Sequence, residues 1–381
     1  MSHEILMIIS ISFIIFISPL ISRLIRLPSV TIEIALGSAL SFLGVLYHNK
    51  VFELVAELGF LYLMFLAGLE LDLKQILKIP KTLIKKALLY IVVLYACSVF
   101  VTFYFSLAKI FIVVLPLISV GLLASLKKEF GEKEWIKLGI TVGLLGEVVS
   151  IITLTTISAW FKFGFSFSLF YTLFFFVFFI LIMAIFYKIF HNIIWWYPKI
   201  KNYLMPHDDV NEQDIRLSMA IFFILVSVMI YLGLELALGA FVAGSFIATF
   251  FEHNSRLPAK LEHFGFGWLV PIFFISVGSS FDLSSIFAEK LFLSSLYICF
   301  AMIFIRLLAS LIFLKELKRS FLLLGLSHAM PLSLLIAIAT LAFQNKSISS
   351  FYYYAFIQAS VLEVLICMAL IKAFDFLYKQ N

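Results

Sequence analysis

The sequence predicts an all-α polytopic membrane protein: about 13 transmembrane helices, two inverted six-helix repeats joined by a linker helix, with two discontinuous helices crossing near the midplane. Three observations carry this prediction. Hydrophobic residues make up 63% of the 381 and charged residues 13%, a balance outside the soluble globular range. Spanning-length apolar runs follow one another with short charged or Pro/Gly-containing breaks. Segments of the first half recur, in order, roughly 200 to 216 residues later.

Taken in order, the runs place helices near 5–22, 29–47, 54–71, 83–107, 110–126, 135–160, 166–190, 214–232, 235–251, 264–281, 287–314, 320–343 and 351–375. Arg23 and Arg26 follow the first run where a signal peptide would have a small-residue cleavage site, so it reads as a retained span. Repeat one is expected over 1–160, the linker over 161–213 and repeat two over 214–381, all within one transmembrane domain and with no sizeable extramembrane part. Cys97, Cys299 and Cys367 lie inside apolar runs without CxxC or metal spacing and read as structural thiols.

Charge sets the orientation. With the N-terminus outside and the C-terminus cytoplasmic, 22 of the 28 Lys and Arg residues fall in cytoplasmic connections or the tail. Lys50, Lys109, Lys162, Lys290 and Lys346 are then external, and Arg306 lies within a span. Every cytoplasmic connection is richer in cations than its neighbours, as the positive-inside rule requires, and this also supports an odd number of spans. The basic pI of 9.0 is therefore topogenic, and no nucleic-acid partner is implied.

The repeat is read from four pairs. Glu33-Ile34-Ala35-Leu36-Gly37 matches Glu235-Leu236-Ala237-Leu238-Gly239, and Phe65 to Leu73 matches Ile275 to Leu283. Leu115-Pro116-Leu117 matches Met330-Pro331-Leu332, and Glu147-Val148-Val149 matches Glu363-Val364-Leu365. The seventh helix separates the halves, so they insert with opposite orientation, the plan of secondary transporters. Pro116 and Pro331 are equivalent helix breaks: each lacks an N–H and clashes with the turn before it, which frees carbonyls that must face protein, water or an ion. An ordinary proline kink is the alternative.

Three ionisable residues lie deep in spans: Glu147, Arg306 and Glu363. A charge at a helix centre costs roughly 2.5 to 3.5 kcal/mol on insertion scales, so such groups face a cavity or one another. Gly139, Gly143 and Gly146 form a stripe that lets a neighbouring backbone, that of the broken fifth helix, approach near Glu147. Ser150, one turn on, and Ser119, beyond Pro116, are candidate oxygen ligands beside Glu147 for a monovalent metal cation. Desolvation favours a neutral carboxyl and a cation favours the carboxylate, so proton and cation compete there. Exchange of one for one carries no net charge across the membrane. Arg306 and Glu363 are candidate counter-ions or a structural salt bridge, the partner of Arg306 being open between Glu147 and Glu363. His328 is a candidate proton relay, or a hydrogen-bonded packing residue. Glu33, Glu57, Glu70, Asp72, Glu235 and Asp282 fall near helix ends and read as boundary or capping residues.

Ala56-Glu57-Leu58-Gly59, Phe65 to Asp72, Leu238 to Gly244 and Pro271 to Gly278 together resemble the monovalent cation:proton antiporter-2 family, the bacterial sodium/proton exchanger and potassium efflux group, in its membrane domain. The resemblance spans nearly the whole chain. It implies a homodimer of thirteen-helix protomers, a dimerisation domain and a mobile core that moves as an elevator. It places Glu147 where the family has its ion-binding aspartate and Arg306 where it has a basic residue. Relatives usually carry Asp, Asn or Gln before that aspartate, whereas Gly146 stands here, and many carry Arg-Gly-Glu after the second break, where this chain has Leu332-Ser333. The chain ends six residues after the last predicted span, so the nucleotide-binding regulatory domain of potassium efflux members is expected only from a separate subunit.

The reading is a sodium or potassium:proton antiporter of the cytoplasmic membrane, electroneutral, working by alternating access at Glu147. It is a transporter and not an enzyme, without cofactor, whose ligands are the transported cations and protons and whose surroundings are lipid. A channel-like or ligand-gated potassium efflux protein is the alternative on the same scaffold, and a non-transporting membrane sensor is the alternative from another class.

Overall fold

The computed structural model describes residues 2–25, 28–47, 49–70, 79–164, 166–197, 212–251, 256–280 and 289–380. Every regular element among them is helical. Among the described residues, eight helical stretches are long and apolar enough to cross a membrane. Helices correspond to each expected run: α1 Ser2–Ile25, α2 Ser29–Phe42, α3 Lys50–Leu69, α4 Lys81–Tyr104, α5 Phe111–Val114, α6 Gly121–Phe130, α7 Glu134–Phe163, α8 Phe167–Trp196, α9 Gln213–Leu232 and α10 Leu236–Phe250. They continue with α11 Leu257–Phe264, α12 Val270–Ser279, α13 Glu289–Ser310, α14 Leu314–Leu317, α15 Phe321–His328, α16 Leu332–Gln344 and α17 Ser350–Gln380.

Local chemistry sets several of these ends. Pro28 and Pro80 stand immediately before α2 and α4, where a missing N–H costs nothing. Asn49 caps α3 by accepting from the Phe52 N–H at 2.7 Å. Gly233 closes α9 in the left-handed region at φ 66°. The tenth predicted run, 264–281, proves too short at its start: α11 begins at Leu257 and runs through a π-helical turn, Gly265–Leu269, into α12. Lys260, Glu262 and His263 hid that first arm from an apolar count.

The chain divides into two compact units, Met1–Lys74 with Ala159–Leu283, and Gln75–Ser158 with Ser284–Asn381. Each therefore draws helices from both halves of the sequence. In the first unit, α2 packs on α12 and α3 on α10. These contacts are repeat-related, because α2 matches α10 and α3 matches α12. Glycine makes them close: a methyl on Gly278 would lie 2.1 Å from the Ile34 carbonyl oxygen, and one on Gly244 2.0 Å from that of Phe65. Alanine at Gly244 gains about 1 kcal/mol of helix propensity but overpacks against unyielding backbone at about 1–3 kcal/mol or more. Gly244→Ala should thus lower the thermal midpoint in detergent, whereas Gly267→Ala, with open space at its Cβ, should not.

One expectation is corrected here. Glu33 is no boundary residue: it is 5% exposed and accepts from Ser18 Oγ at 3.3 Å between α2 and α1. Its place one turn inside α2 looked terminal in sequence, but α1 covers it. Glu70 ends α3 and Glu235 precedes α10 as expected, while Asp72 and Asp282 lie outside the described residues.

The second unit contains both interrupted helices. Residues 115–120 separate α5 from α6, and residues 329–331 separate α15 from α16. The breaks are at the expected prolines but differ in length. Beyond α6, Glu132 receives Lys127 at 3.0 Å, whose hydrogen bond and charge hold its exposed carboxyl below the usual range, with a smaller contribution from Lys137.

Candidate functional site

Helix α7 supplies one wall of the site. Its glycines lie on one stripe, and the first break packs into it: a methyl on Gly146 would fall 2.4 Å from Ile118 Cδ1, and one on Gly143 2.7 Å from Val120 Cγ1. The same methyl on Gly143 would be 3.3 Å from His328 Nε2, so both breaks converge on this turn of α7. Gly146 is thus a notch filled by Ile118. Where the family resemblance leads to an amide or carboxylate side chain, this chain places an isoleucine from the neighbouring break.

Glu147 follows directly and is 1% exposed. Its carboxylate accepts from Ser119 Oγ at 3.2 Å and from the Val120 N–H at 3.4 Å, both at the long end of hydrogen-bond range. The Val120 amide is one that the break removes from helical bonding. Ser150 lies one turn on, 1% exposed, but its hydroxyl accepts from the Ile118 N–H at 3.2 Å. That contact makes Ser150 a clamp on the break.

Arg306, on α13, is fully buried. It donates through Nη1 to the Met302 carbonyl at 2.7 Å and through Nη2 to the Leu117 carbonyl, the oxygen that follows Pro116. A permanent cation thereby satisfies a carbonyl of the non-helical break that follows Pro116. The same Nη1 stands 3.7 Å from Glu363 Oε1 of α17, also fully buried. Of the two partners left open by the sequence, Arg306 is thus paired with Glu363. The pair is loose, since neither Glu363 oxygen nor Arg306 Nε has a hydrogen-bond partner among the described residues.

His328 ends α15 just before the second break. Its Nε2 is 2.8 Å from the Gly139 carbonyl and its Nδ1 3.0 Å from the Tyr90 hydroxyl. A carbonyl only accepts, so Nε2 carries the proton and Nδ1 accepts from Tyr90. Both nitrogens are spent on protein, which is the packing arrangement; the relay role has no support in it. Cys367 donates its thiol to the Ala329 carbonyl at 3.3 Å, serving the second break as Ser150 serves the first.

Sequence reasoning missed Ile118, Tyr90 and the Val120 amide. An isoleucine or tyrosine in an apolar run carries no signal, and a free amide is visible only once the break's length is known. Pro116 and the glycine stripe were signals enough that the first break would pack on α7.

A family model described as "Sodium/hydrogen exchanger, transmembrane" matches residues 11–374. The chain is 24% identical over 366 residues to the "Putative Na(+)/H(+) antiporter YjbQ" of Bacillus subtilis, which covers 88% of this chain and 57% of that protein. This chain therefore spans little more than half of that relative's length. It is 23% identical over 283 residues to the "Probable Na(+)/H(+) antiporter 3" of Methanocaldococcus jannaschii, covering 72% and 71% respectively. Among solved structures, the sodium proton antiporter MjNhaP1 from the same archaeon, at pH 8, superimposes with a TM-score of 0.66 at 14% identity, covering 97% of this chain and 99% of that one. That likeness is one of fold.

Proposed function

The chain belongs to the transmembrane sodium/hydrogen exchanger family, and from that premise we propose that it exchanges sodium, or potassium, for protons across the cytoplasmic membrane. One observation carries the reading: Glu147 is a buried carboxylate facing the interruption of a broken helix, where Ser119 Oγ and a freed backbone amide already reach it. Proton and cation compete for this oxygen pair. Ser119 is the added oxygen ligand, and Ser150 acts by holding the break.

The exchange is electroneutral in this reading. Gly146 brings no second charge to the site, and Arg306 stands with Glu363, so one carboxylate trades one proton for one monovalent cation. The unit that holds Glu147 is the candidate mobile core, and the other the candidate scaffold of a homodimer. The cation distribution supports an external N-terminus and a cytoplasmic C-terminus.

Proteoliposomes test the proposal. With a preset pH gradient, added sodium or potassium should collapse the gradient without a permeant counter-ion and without generating a voltage. A cation-dependent voltage would instead mark a conductive path, and no response to any alkali cation would refute exchange.

A further inference from the structure

We propose that a groove at one end of the second unit, between α4 and α13, binds one anionic phospholipid. The cavity is about 1150 Å³, at or beyond the upper end of ordinary ligand sites, roughly 300–1,000 Å³. Phe100 and Tyr104 of α4 face Tyr297 and Phe304 of α13 across it, and Leu115 forms part of its floor. Those four aromatic residues are 62 to 72% exposed. They belong to spans long and apolar enough to cross a membrane, so the medium reaching the groove is lipid.

Charge at the mouth selects the lipid. Lys109 lies between the lining residues Leu107 and Phe111, Lys290 is one turn before the lining Ser294, and Lys346 stands in the turn leading to the lining Phe351. The segments that form the mouth, 105–111, 289–294 and 343–352, hold these three lysines and one carboxylate residue, Glu289. By the charge-derived topology only five lysines are external, and three of them are here, against the general bias for cytoplasmic cations. Tyr104, Tyr297 and Tyr352 add amphipathic rings suited to the interface. The acyl chains therefore occupy the aromatic groove and the phosphate sits among the lysines. Leu115 is fully buried and directly precedes Pro116, so a seated lipid braces the short arm of the first broken helix.

The test uses the full chain, purified in detergent, delipidated and titrated with phosphatidylglycerol or phosphatidylcholine, with retained lipid read by native mass spectrometry. Phosphatidylglycerol should be retained preferentially and should raise the thermal midpoint. Ala301→Trp, which fills the groove from α13, should abolish both effects. Lys109→Gln with Lys290→Gln should weaken retention about 25-fold, at roughly fivefold per lysine; this surface pair decides the matter if the tryptophan variant does not fold. Equal retention of the neutral lipid overturns the proposal. So does full retention by the groove-filled protein, or equal stabilisation by glycerol phosphate alone, which would mean a headgroup site without a lipid. A change of oligomeric state in Ala301→Trp with lipid retention intact would make the groove an interface between copies, and also overturns it.

Discussion

Glu147→Gln should reduce cation-driven proton flux in proteoliposomes to that of empty vesicles. Glutamine keeps the volume, and its one carbonyl oxygen can still accept from the Val120 N–H while its amide group donates to Ser119 Oγ, whose hydroxyl can reverse its role, so the fold should survive. It cannot take up or release the proton on which the exchange depends. Glu147→Asp is the informative companion: withdrawing the carboxylate by one methylene lengthens contacts that are already 3.2 and 3.4 Å, so exchange should persist with a higher apparent KM for the cation. In the wild type, competition makes that KM rise as pH falls, by about tenfold per pH unit once the carboxyl is mostly protonated. Full exchange by the glutamine variant, or a KM indifferent to pH, would remove Glu147 from the transport step.

Arg306→Met should be the most destabilising single change in the second unit. It takes from the Leu117 carbonyl the donor that reaches it across the packing, removes a second donor from the Met302 carbonyl, and strands a fully buried Glu363 carboxylate. Removing one partner of a buried ion pair costs about 3–5 kcal/mol. Replacing both partners with apolar residues costs far less, because no uncompensated charge remains. Arg306→Met with Glu363→Met should therefore recover much of the stability lost in the single variant, though not the part owed to the Leu117 carbonyl. Arg306→Lys should recover little, since one ammonium cannot match the forked donors that reach α5's loop and α13 together. Heating followed by size-exclusion chromatography measures the surviving folded fraction. If Arg306→Met alone proved as stable as wild type, the pair would not be what holds the unit together.

Much of the fold was legible because a bilayer leaves few options: long apolar runs must be helices, and Pro116 and Pro331 must interrupt them. The packing of the first break against the Glu147 turn was legible for the same reason, since Pro116 and the three glycines of α7 call for a close approach there. What stayed hidden depends on which groups meet across the packing. The residue types at Ser150 and His328 fit an ion ligand and a relay, yet Ser150 spends its acceptor on the Ile118 amide and His328 bridges Tyr90 and Gly139. Arg306 could have served either carboxylate, and only the path of α17 decides for Glu363. Glu33 looked terminal because sequence position does not reveal that α1 lies over it.

The alternation of the two units along the chain bears on biogenesis. A ribosome releases the polypeptide from the N-terminus, so α4 to α7 enter the membrane long before α13 to α17 exist. During that interval the Leu117 carbonyl awaits an arginine that is still 189 residues away. The newborn first half must be sheltered by the insertion machinery, or by lipid and water, and the second unit can close only once α17 has been made.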